Sequence, residues 1–282
     1  MQNYNDKQKQ YINDIELALE KYLPQTDEPY KSVTNAMRYS VLGGGKRVRA
    51  VLLLEFCKAC GGTQELAMPF ACALEMLHAY SLVHDDLPCM DGDEMRRGKP
   101  SCWKKYGETT ALLAGDGLLT KAFEVCAGSS APPQNALRAT FELAKNAGEC
   151  GMLGGQVIDL LSENKKISEK LLLQIYRQKT GALLRSAAKI GCILAGASED
   201  KILLAEEYAD KTGLAFQIVD DILDIAGDEK NKKTTFVSLH GLENAKNTVY
   251  SLTNEAKSII SKFDFSDEFL YNMMDSLAVR QN

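Results

Sequence analysis

The sequence predicts an all-α protein, a single-domain helical bundle over residues 1–282, and three observations carry that prediction. Core-type residues recur at helical spacing: Leu171, Leu172, Ile175, Thr180, Leu183 and Leu184 share one stripe, and Leu203, Leu204, Tyr208, Ala215 and Ile218 share another. Period-two alternation of β-branched residues is almost absent, so strands are not indicated. The breaks are short, at 43–45, 61–62, 132–133 and 227–233, and no repeat, low-complexity tract or linker divides the chain. Ten or more helices fit.

Composition narrows the function. The 282 residues are 45% hydrophobic and 25% charged, the balance of a soluble globular chain with a substantial core. Lys plus Arg is 33 and Asp plus Glu is 38, a net charge of −5, which argues against a general nucleic-acid binder. The opening residues lack the apolar core of a signal peptide, and no unbroken apolar run of membrane-spanning length occurs after them. The expectation is a cytoplasmic protein with no membrane span. Cys57 and Cys60 form a lone CxxC without a downstream HxxxH, so they read as small core residues rather than zinc ligands.

Taken in order, the first feature is GGKRVR, with Gly44, Gly45, Lys46, Arg47 and Arg49. Glycine-rich backbone beside Lys and Arg suits a diphosphate, because Arg offers a planar fork and Lys a compact charge. It is not a Walker loop, since Arg47 stands where Ser or Thr is required. Next comes FACALEMLHAYSLVHDDLPCMD, an amphipathic helix carrying His78, Asp85 and Asp86 toward Pro88. Seven residues place His78 and Asp85 on one helical face. Asp91 falls on that side only if the chain distorts at Pro88. Arg96 and Arg97 come just after. Ser168 and Ser198 mark two further helix starts, and Lys179 and Thr180 lie on the first of these helices. The second ends in LAFQIVDDILDIAGD, where Asp220, Asp221 and Asp224, with Gln217 on the same stripe, occupy one broad face.

A single acidic pair is most often a solvated helix face. Two acidic runs inside apolar helices are different, because uncompensated like charges there weaken the fold and call for a cation between them. Oxygen ligands without His or Cys favour Mg²⁺ over zinc or iron.

Together these motifs resemble the trans-isoprenyl diphosphate synthase family, most of all its bacterial farnesyl diphosphate synthases. The likeness runs from LGGGKRVRAVLLL through the two acidic motifs, LLAGDGLL, GMLGGQVIDL and RQKTGALL, over nearly the whole chain. The resemblance implies a polyprenyl synthetase domain built around a deep central cavity, a homodimer, and transfer of allylic groups onto isopentenyl diphosphate. Asp85, Asp86, Asp91, Asp220, Asp221 and Asp224 match its Mg²⁺ ligands, three ions with diphosphate bound. Arg96, Lys179 and Lys233 match the allylic diphosphate ligands, with Thr180 and Gln217 beside the developing cation. Gly45, Lys46, Arg49, His78 and Arg97 match the isopentenyl diphosphate site. Tyr80 matches the aromatic floor that limits the product to fifteen carbons, and the extra Pro88 and Cys89 point the same way. A geranyl or geranylgeranyl diphosphate synthase is the alternative. A terpene cyclase or squalene-type synthase has no use for GGKRVR, His78 and Arg97, and a non-catalytic subunit of a heteromeric synthase tends to lose the acidic motifs that stand here intact. The chain departs from the family at Ala50 and Ser101, and its segment GDEKNKKTTFVSLHGLE is short and lacks GKxxGxD, so one customary diphosphate-binding lysine has no clear counterpart. Either Lys230 or Lys232 substitutes for it, or the loop is short or lacks part of its residues here.

Overall fold

The computed structural model describes residues 2–225, 234–263 and 268–278. The first half contains α1 (Gln2–Tyr22), α2 (Lys31–Val41), α3 (Val48–Ala59), α4 (Gln64–Asp85), a hairpin of β1 (Met95–Arg96) and β2 (Lys99–Pro100), α5 (Cys102–Tyr106) and α6 (Glu108–Ala127). The second contains α7 (Pro133–Ala147), α8 (Met152–Ser162), α9 (Glu169–Ile175), a π-helical turn (Tyr176–Gly181), α10 (Ala182–Leu194), α11 (Glu199–Leu223), α12 (Phe236–His240), α13 (Leu242–Ile260) and α14 (Phe269–Ala278). The all-α class is thus the observed one. Lys230, Lys232 and Lys233 lie outside the described residues.

Two helices form the centre because their sequences leave no polar face. α3 (VRAVLLLEFCKA) and α4 (QELAMPFACALEMLHAYSLVHD) are apolar on all sides, which requires burial rather than a surface position. Leu52, Leu53, Phe56, Phe70, Leu74 and Leu77 are accordingly shut off from solvent. α4 packs on α6 and α3, α3 on α10, and α10 on α7 and α11; α13 covers α11 from outside. Phe56, Tyr208 and Phe263 stack edge to face at centroid separations of 5.4 and 5.6 Å and join α3, α11 and the end of α13 in one core.

α4 is long and apolar enough to cross a membrane by length and composition, and 72% of its most apolar stretch is buried inside the fold. The sequence expectation counted unbroken apolar runs; an average over 18 residues tolerates Glu75 and His78, so α4 passes while serving as a core helix.

Helix starts obey local chemistry. The Ser168 side chain accepts from the Leu171 amide at 3.3 Å, whereas Ser198 precedes α11 without a capping bond. Arg47 does not reach outward with its GGKRVR neighbours. Its guanidinium is buried between Glu16 (2.7 Å) and Glu75 (3.1 Å), which ties α1 and α4 to the start of α3.

Candidate active site

α4 stops at Asp85, and the chain then folds back: the Asp91 amide donates to the Asp85 carbonyl at 2.9 Å and the Gly92 amide to the Leu87 carbonyl at 3.1 Å. The turn around Pro88 thus returns Asp91 to the neighbourhood of Asp85, where an unbroken helix would have carried it away. The hairpin just beyond sorts the two arginines. Arg97 and Gly98 occupy its tip with positive φ angles of 52° and 73°, the backbone of a two-residue turn that matches strand twist. Arg96 therefore reaches back, donating through Nε to Asp86 Oδ1 at 3.0 Å and through its other nitrogen to Asp93 at 3.1 Å. Arg97 reaches the opposite way and donates to the Gly44 carbonyl. A side chain at Gly45 would press on that guanidinium at 3.1 Å, so the glycine clears its path.

Two large cavities result. The first, about 630 Å³, is lined by Asp91, Asp159, Tyr176, Lys179, Gln217 and Thr234 among others. The second, about 530 Å³, gathers Gly45, Lys46, Arg49, His78, Arg97 and Thr180. A small third cleft holds Asp86 and Arg96. The first two cavities meet at the π-helical turn, where Lys179 faces one and Thr180 the other. The sequence expected one uninterrupted helix from Leu171 to Leu184. The structure instead inserts a π turn over Tyr176–Gly181, and on any helical turn adjacent side chains point about 100° apart, which sets Lys179 and Thr180 to different sides.

The turn is held on two sides. Gly155 of α8 lies so close that a Cβ there would overlap the Lys179 backbone nitrogen. On the other side the Tyr176 hydroxyl donates to Asp221 Oδ2 at 2.5 Å, and the same oxygen accepts from the Phe236 amide at 2.8 Å. Lys179 Nζ rests 2.7 Å from Asp159. Gly155→Ala is expected to push Lys179 and Thr180 out of place; a shift near 1 Å at reacting groups costs about 10²-fold. Steady-state turnover checks this, and wild-type turnover would show that the turn tolerates the shift.

The acidic residues occupy distinct surroundings. Asp86 is buried, and burial raises its pKa while Arg96 opposes the rise. Asp85 is pushed up to about 6, chiefly by burial, with Asp91 and Asp86 adding to the rise and Lys179 and Arg96 opposing it. On α11, Gln217 Nε2 donates to Asp220 Oδ2 at 3.4 Å. Asp221 accepts from Tyr176, and Asp224 is exposed just past the last helical residue, its amide donating to the Asp220 carbonyl at 3.0 Å. Among the described residues no three acidic, His or Cys side chains close into a ready-made metal cage. The donors nonetheless suit a hard divalent cation, since they are all carboxylate oxygens.

The second cavity is its electrostatic opposite. His78 is held well below its ordinary range by burial and by Arg49, Arg97, Arg47 and Arg96, so it is a neutral imidazole. Arg49 Nε is buried without a hydrogen-bond partner, an orphaned donor aimed where an anion would be welcome. Tyr80 lines neither large cavity. It is buried on α4 with its ring 5.8 Å from that of His84, which donates to the Leu112 carbonyl of α6 at 3.0 Å. Sequence reasoning missed Asp159 and Tyr176. Asp159 stands in an otherwise apolar stretch of GMLGGQVIDL, and that isolation was its only signal.

The chain is an all-α bundle with an acid-rimmed cavity and a basic one, with a lysine and a threonine of one turn facing one each. The polyprenyl synthetase family model matches residues 30–258, and the chain belongs to that family. It is 40% identical to the farnesyl diphosphate synthase of Bacillus subtilis (strain 168), with 95% of each chain covered. It is 42% identical to the chloroplastic geranylgeranyl pyrophosphate synthase of Capsicum annuum, over 97% of this chain and 79% of that one. Among solved structures, the apo FPP/GFPP synthase of Zymomonas mobilis superposes with a TM-score of 0.92 at 34% identity, covering 98% and 99% of the two chains.

Proposed function

We propose that the protein condenses isopentenyl diphosphate with dimethylallyl and then geranyl diphosphate, with Mg²⁺, to give farnesyl diphosphate. The observation that carries this reading is the placement of Lys179 and Thr180 on one turn, each facing a different cavity. The allylic diphosphate belongs in the first cavity, gripped by Lys179 and by Arg96 at its edge, with Lys233 beyond the described residues. Asp85, Asp86 and Asp91 on one side and Asp220, Asp221 and Asp224 on the other would hold Mg²⁺, which would neutralise charge on the leaving diphosphate. The isopentenyl diphosphate belongs in the second, held by Lys46, Arg49, Arg97 and the Gly45 backbone. Neutral His78 can donate one hydrogen bond to it without charge repulsion from the arginines.

C–O cleavage leaves an allylic cation. Fixed cations that meet the growing charge on the leaving group lower that barrier without reorganising. Thr180 and Gln217 border the path between the cavities and present oxygen dipoles to the cation. The isopentenyl double bond, held at close range, attacks it, and loss of a proton completes the step. The apolar walls Leu184 and Phe216 exclude water that would quench the cation to an alcohol.

The fifteen-carbon reading rests on the resemblance of Tyr80 to the family's aromatic floor. Tyr80 is buried on α4 about one and a half turns before Asp85, outside the lining of both large cavities, so substitution is its test. Tyr80→Ala is expected to shift the main product to twenty carbons or more; an unchanged chain length removes Tyr80 from the floor, and a twenty-carbon product from the unsubstituted protein would favour the geranylgeranyl reading that some relatives' names suggest.

A homodimer fits the surface. Leu112 and Leu113 of α6 and Leu137 and Phe141 of α7 are exposed, the last two by 73% and 62%, an apolar face that a second copy would cover. Light scattering is expected to give twice 31.1 kDa. Eight free thiols fit a reducing, cytoplasmic compartment, and we take residues 1–282 as one domain. The activity is tested by product analysis with labelled isopentenyl diphosphate and each allylic primer, with Mg²⁺ or chelator. A metal-dependent farnesyl product from both primers is expected; no condensation from folded protein would overturn the reading.

A further inference from the structure

Three cysteines meet far from both cavities, where the turn after α3 touches the end of α10. Cys60 Sγ lies 3.5 Å from Cys192 Sγ, and Cys57, one helical turn earlier, directs its thiol at the Thr63 carbonyl 3.7 Å away. Gly62 permits this approach: a side chain there would overlap Cys57 Sγ and press within 3.0 Å of Ala195 Cβ. The thiols differ in access and in acidity. Cys57 and Cys192 are buried, whereas Cys60 is partly exposed. Burial pushes the Cys57 thiol up to about 12, and Cys192 is raised by the hydrogen bond it shares with Cys60 and by burial. Cys60 moves the opposite way, because the Cys192 S–H hydrogen bond and the Lys201 ammonium favour its thiolate against the cost of burial. One partly exposed thiol therefore touches a second, buried one, close enough for an attack on the first to be followed by ring closure onto the second.

We propose that Cys60 and Cys192 are a reversible cross-linking site whose oxidant is a small-molecule disulfide. The Cys60 thiolate attacks one sulfur of RSSR, forming a mixed disulfide and expelling RS⁻. Cys192 then attacks Cys60 Sγ as its proton passes to the departing RS⁻, which leaves as RSH. Two protein thiols are oxidised to one disulfide while RSSR is reduced to two thiols. The sulfurs must close from 3.5 Å to about 2.05 Å, a movement that falls on Cys60, the partly exposed residue just after the last turn of α3. The new bond sits about 16 Å along α3 from Arg49, so both cavities stay open and the effect appears in stability.

The test uses oxidised glutathione on the full chain carrying Cys89→Ser and Cys150→Ser, which removes the two exposed thiols and leaves 8 − 2 = 6. The expected result is loss of two further thiols, a Cys60–Cys192 cross-linked peptide pair on mass mapping, and a melting temperature higher by about 5 °C that dithiothreitol reverses. Adding Cys192→Ser should leave a glutathione adduct on Cys60 and abolish the rise. Thiol loss without the cross-linked pair, or a rise that survives Cys192→Ser, would overturn the proposal.

Discussion

Asp85→Asn is expected to lower turnover by about 10³-fold, the loss of about 4 kcal/mol of transition-state stabilisation, while making the metal-free protein more stable. The two effects have one cause. Asp85 is pushed up to about 6 by burial, so the folded chain prefers its protonated form. The stability associated with that proton is complete below the ordinary carboxylate range and disappears as pH rises through about 6. Above that point the native state carries an under-compensated charge that asparagine, of the same shape, does not. The rise corresponds to about 3 kcal/mol, cut to about 1.5 kcal/mol because the carboxylate is partly solvated. For a chain of this size that is about 4 °C in melting temperature. Thermal melts in chelator should show the gain at pH 8 and its absence at pH 4. A loss at pH 8 would mean that Asp85 is a structural residue.

The second large effect concerns Arg49. Its Nε is buried with no partner, and an anion in the second cavity is the group that would satisfy it. Arg49→Met keeps the bulk of the side chain and removes the charge. Losing a buried, charged hydrogen bond costs about 3 kcal/mol, so the KM for isopentenyl diphosphate should rise by about 10²-fold. The KM for the allylic substrate should change little, because Lys179 and Arg96 face elsewhere. An equal rise in both would show that the two cavities do not divide the substrates as assigned.

Much of this site was legible in the sequence because its parts are local. GGKRVR, His78 and Arg97 are named by residue type and spacing, and the structure gathers Gly45, Lys46, Arg49, His78 and Arg97 in one cavity. The return of Asp91 was inferable from Pro88, since a proline ends the helical ladder at a known place. The features that the sequence hid depend on departures from regular geometry. Periodicity reads residues 171–184 as one helix and cannot register an inserted π turn. The Asp159–Lys179 and Tyr176–Asp221 pairs join residues 20 and 45 positions apart, and only the packing of α8 and α11 on that turn creates them. Arg47 looked like its neighbours in GGKRVR, yet Glu16 and Glu75 draw it into the core. Burial of an arginine cannot be read from the residues beside it in the chain when its partners lie on two other helices.

The two cavities are assigned to two diphosphates held by different means, one through carboxylate-bound metal and one through basic side chains alone. Isothermal titration with isopentenyl diphosphate and with a non-reactive allylic thiolodiphosphate, each with Mg²⁺ and with chelator, tests this division most directly. Isopentenyl diphosphate should bind the protein equally well in chelator, while the allylic analogue should lose at least about tenfold in affinity, a coupling near 1.4 kcal/mol. Metal-dependent binding of isopentenyl diphosphate, or allylic binding indifferent to chelator, would contradict it.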